Sequence, residues 1–207
     1  MIKQRTRSVV SRGFPSACLA LLALSCSGDR PDIDQMPAFG EQGIHVVVEI
    51  PAGTNLKIEY DPATGSFLPD REGESERSIT FLPYPGNYGF IPSTLVDASD
   101  GGDGDPLDVL LLSSALPTGS VVEAMPVAAL LLLDDGERDT KIIAVPLDST
   151  RRVIDVDDFR SLLMEYDAAR RIIEEWFLNY KGLGATELVG WKDEQFAAEE
   201  VRRRQIH

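Results

Sequence analysis

The chain has 207 residues, 43% of them hydrophobic, and carries 20 Lys and Arg against 34 Asp and Glu, a formal net charge of −14. That length and apolar share suit one domain able to bury its own core. The charge balance excludes nucleic acid as a partner, because phosphate backbones are bound by a basic footprint; a small polyanion stays open, because bound cations can reverse the field of an acidic pocket.

The first segment is unlike the rest. Lys3, Arg5, Arg7 and Arg12 come without an acid, an apolar stretch runs from Cys18 to Leu24, and Ser25-Cys26 follows. A basic start, a short apolar run and small residues at a junction predict an export signal over 1–25, too short for a stable membrane span. Leu22-Ala-Leu-Ser-Cys26 resembles a bacterial lipobox, in which the Cys would carry lipid, although Ala23 stands where Leu is usual. A plain signal peptide, or an extension that is no working signal and leaves the protein cytoplasmic, is the other reading. Loss of that leader leaves Cys26 as the single cysteine, which excludes an intrachain disulfide framework and a thiolate metal site. Residues 26–43 are polar and aperiodic, a tether ahead of a globular domain over 44–207.

Ile44 to Ile50 is a β-branched run closed by Pro51, hence a strand, interrupted by Glu49. From Asn55 to Tyr60 apolar and polar residues alternate, with Lys57 and Glu59 on one face. Asp61 to Gly65 is a turn, and Phe67 to Arg71 is the return of a hairpin. Taken singly, Glu49, Lys57, Glu59 and Arg71 suit a solvated sheet face. Phe81 to Phe90 holds two prolines with a single residue between them, Pro83 and Pro85, and several aromatics, which predicts a rigid extended loop presenting Tyr84, Asn87 and Tyr88.

The acidic centre of the sequence comes next. Asp100, Asp103, Asp105 and Asp108 fall within nine residues, two of them flanking Gly104, immediately before the apolar run Val109 to Leu112. On its own this is either a solvated Asp-Gly turn or a set of hard oxygen ligands for a divalent cation. Val121 to Leu133 is a long apolar strand with Pro126 at a bulge or edge. Asp134 to Asp139 is a second acidic turn, and Lys141 to Val145 another strand. Short strands and turns of this kind predict a small closed or nearly closed barrel. Pairing of those strands would put both acidic turns at one mouth, facing Lys57, Arg71, Lys181 and the phenols of Tyr88 and Tyr180. Over Asp158 to Tyr180 the period turns helical, with Asp157 as N-cap and Gly182 past the end, predicting one helix packed on the barrel. A brief strand or turn at Val189 to Trp191 and a short helix over Phe196 to Gln205 close the chain. His45 and His207 are the only histidines, which leaves no catalytic triad, and there is no phosphate-binding Gly-rich loop with Lys.

Asp103-Gly-Asp-Pro-Leu-Asp108 resembles the signature of the family I soluble inorganic pyrophosphatases of bacterial type. The likeness continues, in order, through Val48 to Pro51, Lys57 to Glu59, Asp70-Arg71, Tyr84 to Gly89, Asp134 to Lys141, Ala144 to Pro146, Asn179 to Lys181 and Gly190-Trp191. The resemblance implies a mainly β fold with flanking helices (an α+β arrangement around a five-stranded OB-fold barrel). It also implies hydrolysis of pyrophosphate by a Mg²⁺-bound hydroxide, with Mn²⁺ or Zn²⁺ as substitutes. By position, Asp103, Asp108, Asp139, Asp134 and Glu49 match metal-binding residues, and Asp105, with Tyr88 beside it, the acceptor of the water proton. Lys57, Arg71, Tyr180 and Lys181 match groups that hold the phosphates, and Glu59 an acid lining the site. The family implies a homo-oligomer, commonly a hexamer, and is mostly cytoplasmic, which the export signal and a lipid anchor at Cys26 depart from. Residues 96–102 are a few longer than the family pattern. The competing reading, a non-catalytic lipoprotein binding Ca²⁺ through the acidic loop, fits poorly: Pro106 lies inside the loop and an EF-hand's closing Glu is missing.

Overall fold

A computed structural model describes residues 32–206 of the chain. The expected signal over 1–25, Cys26, the start of the tether and His207 lie outside them. The remainder of the expected tether is packed rather than free. Ala38 is fully buried, Phe39 bridges to Ile44, and the Ala38 carbonyl accepts from His45 N–H at 2.9 Å. Glu123 caps the same segment by accepting from the Gln42 and Gly43 amides at 2.6 and 2.9 Å. The domain therefore begins upstream of Ile44, because two small or aromatic residues in a polar stretch found apolar cover that composition did not reveal.

Among the described residues ten strands follow: β1 Ile44–Ile50, β2 Ile58–Asp61, β3 Ser66–Pro69, β4 Arg71–Glu72, β5 Ser75–Glu76, β6 Asn87–Phe90, β7 Asp108–Leu111, β8 Val121–Asp134, β9 Glu137–Pro146 and β10 Thr186–Asp193. The main sheet runs β1-β6-β7-β9-β8, and β1 pairs back to β8, so five strands close into a ring with β10 added on the far half of β8. The expected five-stranded barrel is this ring. Closure leaves the five ring strands with both sides paired, which removes exposed edges. All ring contacts are antiparallel except β7 with β9, where Val109 stands opposite Ile142 and Leu110 opposite Ile143. Pro126 sits at a shift in the β8–β9 register, as its missing N–H requires.

Two elements differ from the expectations. The stretch expected as a loop up to Phe90 ends in β6. Its Asn87 is fully buried, accepting from the Ala52 and Leu116 amides at 3.0 and 2.8 Å and donating to Ser113 Oγ and the Ser114 carbonyl at 2.9 and 3.0 Å. Gly89 lies so close to β1 that a Cβ there would fall 1.9 Å from the Val47 carbonyl oxygen. Asn and Gly, turn residues by habit, are strand residues here: the backbone of β1 leaves no room for a side chain at Gly89, and Asn87 satisfies the Ala52 and Leu116 amides. The expected single helix is two, α1 Phe159–Glu165 and α2 Asp167–Asn179, divided at Tyr166 (φ −130°, ψ 29°). Within each helix only one face is covered: Leu162, Ile173, Trp176 and Phe177 pack on Leu110, Leu130, Leu132 and Ile143 of the barrel, while Leu163 and Ile172 are exposed. The N-cap is Asp158, which accepts from Ser161 N–H, not Asp157. The closing helix, α3 Glu194–Arg204, covers a second apolar cluster with Ala197 and Val201.

Candidate active site

The acidic loop stands at one mouth of the barrel and is fixed from behind. Val96 N–H donates to the Asp105 carbonyl (2.8 Å), Gly104 N–H to the Val96 carbonyl (2.9 Å) and Leu107 N–H to Thr94 Oγ1 (2.9 Å). Asp103 Oδ1 accepts from Asp105 N–H at 3.0 Å, which tightens the turn, and Gly104 takes φ 88°, open to glycine without strain. Leu107 is wholly buried, so the loop is anchored by one apolar side chain and presents its carboxylates outward. Asp108 is the first residue of β7.

The second acidic turn reaches the same mouth through strand pairing. β8 and β9 join through Asp135 and Gly136, both at positive φ (50° and 88°), the tight turn that suits the twist of a hairpin. Asp139 and Lys141 alternate along β9 and so share a face. The parallel register of β7 with β9 then sets Asp108 abreast of Lys141. The Lys141 ammonium lies 2.5 Å from both Asp108 Oδ2 and Asp139 Oδ1, and 3.0 Å from the Tyr88 hydroxyl. Asp134, at the end of β8, pairs with Lys181, which follows α2.

These groups line one cleft of about 590 Å³. Of the residues expected from sequence, Glu49, Lys57, Tyr88, Asp103, Asp105, Asp108, Asp134, Asp139, Tyr180 and Lys181 all line it, as does Glu59. Arg71 does not: it is exposed on the β4–β5 hairpin, and Arg77 lines the cleft instead. Lys141, Tyr84 and Arg138 also line it.

The electrostatics follow from crowding. Burial pushes the Glu49 carboxyl up to about 8, against a 2.7 Å hydrogen bond from Tyr60 N–H, and the charges of Asp108 and Glu59 add to the rise. Burial and then the charges of Asp103 and Asp108 raise Asp105. Burial raises Asp139 as well, opposed by the Lys141 ammonium. For Lys141 burial acts downward, but Asp108 and Asp139 outweigh it and hold the ammonium protonated. The phenols of Tyr84, Tyr88 and Tyr180 are raised chiefly by burial, so all three stay neutral donors.

Among the described residues no three carboxylates already converge on one point as a finished metal cage. The lysines account for the spread: Lys141 holds Asp108 and Asp139, and Lys181 holds Asp134. The donor set nonetheless fits a hard divalent cation. All the donors are carboxylates, they face one cleft, and their mutual repulsion is what such a cation relieves.

A family model described as inorganic pyrophosphatase matches residues 46–206. An inorganic pyrophosphatase of Thermus thermophilus is 38% identical over 169 residues, covering 77% of this chain and 86% of that protein. One from Halobacterium salinarum is 38% identical over 187 residues, 88% and 92% of the two chains. The chain belongs to the inorganic pyrophosphatase family. The fold agrees: the solved inorganic pyrophosphatase of Thermus thermophilus superposes with a TM-score of 0.70 at 35% identity, covering 82% of this chain and 94% of that one. That of Neisseria gonorrhoeae gives 0.69 at 33% identity, over 84% and 96%. The calcium-binding alternative finds no support among these relatives.

Arg77, Arg138 and Lys141 of this pyrophosphatase-family site escaped the sequence reading. Lys141 had a legible signal, a lysine two places after Asp139 at the start of the apolar run from Ile142 to Val145, where an unpaired charge would be costly. Arg77 had none, because nothing local says which arginine of a hairpin faces inward.

Proposed function

We propose that the chain is a Mg²⁺-dependent hydrolase that cleaves inorganic pyrophosphate to two phosphates in this cleft. The observation that carries the reading is the meeting of five aspartates with Lys57, Lys181, Tyr88 and Tyr180 around one opening. Asp103, Asp108 and Asp139 would hold the first cation, Asp134 with Asp139 a further one, and Glu49 would assist from the wall. When bound, such cations supply neutralisation of the substrate's charge and a lowered pKa for coordinated water. Mn²⁺ and Zn²⁺, which also accept carboxylate ligands, are the natural substitutes.

The chain's own groups do the rest. Lys57, Lys181 and the Tyr180 hydroxyl bind phosphoryl oxygens and stabilise the charge that gathers on the leaving phosphate. Asp105, at the tip of the loop, takes the proton of the attacking water as its oxygen bonds to phosphorus and the bridging P–O bond breaks. The Tyr88 hydroxyl, kept neutral by burial, stands beside the reacting water as a donor. Lys141 keeps Asp108 and Asp139 from repelling each other before cations arrive.

Export and a lipid anchor at Cys26 are part of this proposal, supported by the basic and apolar pattern of 1–25. So is assembly into a homo-oligomer, a hexamer, supported by the family. Phosphate release from pyrophosphate by the purified protein tests the chemistry. Rapid release with Mg²⁺ that stops with excess chelator is expected; a folded protein inert with Mg²⁺, Mn²⁺ and Zn²⁺ would overturn it. Fatty-acid labelling that disappears in Cys26→Ser tests the anchor, and sedimentation of the purified protein tests the hexamer.

A further inference from the structure

The family likeness runs through the dipeptide Asp70-Arg71, yet the fold separates the two side chains. After β3 the chain reaches Asp70 and then leaves on a six-residue excursion, Arg71 to Glu76, made of β4, a turn with Gly73 at φ 65°, and β5. It returns at Arg77, whose N–H donates to the Asp70 carbonyl at 2.8 Å. Asp70 and Arg77 thus face each other across the base of the hairpin, and Arg71 is carried out into solvent on its first strand. Removing residues 71–76 would rejoin Asp70 to Arg77 and restore an Asp-Arg dipeptide at the base.

The side chains make the same distinction. Arg77 Nη1 donates to Asp70 Oδ2 at 3.1 Å, and that oxygen is also 3.4 Å from Lys57 Nζ. One carboxylate therefore holds two cations side by side on one wall of the cleft, which Tyr84 and Tyr180 also line. A guanidinium has five N–H donors in a fixed fork. Only Nη1 of Arg77 has a hydrogen-bond partner among the described residues, so the rest of the fork is open to an anion. A planar fork matches two phosphoryl oxygens at once, which an ammonium cannot.

We infer that Arg77, and not Arg71, is the arginine that binds a phosphoryl group of the substrate, with Asp70 as its positioning residue. The 71–76 hairpin is an excursion that the reaction does not need. The inference rests on the proposed hydrolysis of pyrophosphate and assigns one more residue to that site.

The experiment compares the full-length protein with Arg71→Ala, Arg77→Ala, Arg77→Lys and a deletion of 71–76, each checked by thermal melting. Steady-state phosphate release with Mg²⁺ should leave Arg71→Ala within about twofold of the parent, with the deletion retaining most activity. Arg77→Ala should lose roughly 10²–10³ in kcat/KM, the scale of removing one donor to a developing oxyanion. Added guanidinium should restore part of that loss, and Arg77→Lys should recover less than the parent. The opposite pattern, a large loss in Arg71→Ala with Arg77→Ala near normal, overturns the inference. So does a loss in Arg77→Ala that tracks a drop in melting temperature and ignores guanidinium, since that marks a structural role. A parent inert with every metal refutes the proposed hydrolysis instead. Equilibrium binding of the non-hydrolysable analogue imidodiphosphate then decides: loss in Arg77→Ala alone supports the assignment, and loss in Arg71→Ala alone, or no binding by the parent, overturns it.

Discussion

Replacing Lys141 by Met should destabilise the protein far more in chelator than in Mg²⁺. The side chain is buried, and its ammonium is the shared counter-charge of Asp108 and Asp139, 2.5 Å from each. Without it, two carboxylates face each other with no cation between them. Breaking a buried pair from one side costs about 3–5 kcal/mol. Asp108 and Asp139 keep 26% and 15% of their side-chain surface exposed, so water softens the penalty and the low end, about 3 kcal/mol, applies. For a domain of this size 1 kcal/mol moves the melting temperature by about 2–4 °C, giving a loss of roughly 6–12 °C in chelator. A divalent cation supplies the missing charge and, at a hundredfold excess over its Kd, adds about 2.7 kcal/mol. The variant, lacking the competing ammonium, should gain more from Mg²⁺ than the parent does, so the gap should close by half or more. Melting curves of both proteins in chelator and in saturating Mg²⁺ measure it. A gap that stays constant, or one under about 2 °C in chelator, would refute the view of Lys141 as stand-in for a cation.

Other expectations can be checked alongside. Glu49 is raised in the fold from its ordinary 4.5 to about 8, so the native state holds a proton the unfolded chain has released, and stability falls as pH rises through that window. Glu49→Gln should therefore melt like the parent near pH 4 in chelator and higher than the parent at pH 8 and above, by up to a few kcal/mol; urea titrations across pH would expose the contrary trend. Asp105→Asn should keep metal affinity, read by calorimetry, and lose about 10²–10⁴ in turnover, the usual worth of a general base; undiminished turnover removes Asp105 from that role. Asn87→Ala strips four hydrogen bonds from a fully buried side chain and orphans the Ala52 and Leu116 amides. It should cost about 3 kcal/mol in urea unfolding, and a cost below about 1 kcal/mol would mean water enters the gap.

Local chemistry was legible wherever a residue's type sufficed. The acidic loop announced itself because four carboxylates in nine residues cannot be neutral in water, and β1, β7, β8 and β9 because their apolar runs end at turn residues. Where burial by a distant segment decided the outcome, composition misled. Asn87 and Gly89 read as loop and are strand, since close approach of β1 selects Gly89 and orphan amides select Asn87. Ala38 and Phe39 read as tether and are packed. The helical period over Asp158 to Tyr180 is legible in the sequence, but the break at Tyr166 that makes two helices of it is not, and Ile172, apolar in type, lies in water.

Residue types alone set the kinds of group available: hard carboxylate donors in two turns, lysines and an arginine to hold an anion, and neutral phenols. Which of them meet is a matter of the folded arrangement. The parallel pairing of β7 with β9 puts Asp108 beside Lys141 and Asp139, residues more than thirty apart in the chain. The base of one hairpin turns Arg77 inward and leaves Arg71 outside. Charge and hydrogen-bonding capacity belong to each side chain, but Coulomb attraction and hydrogen bonds act over a few ångströms, and such separations between distant residues exist only once the barrel has closed.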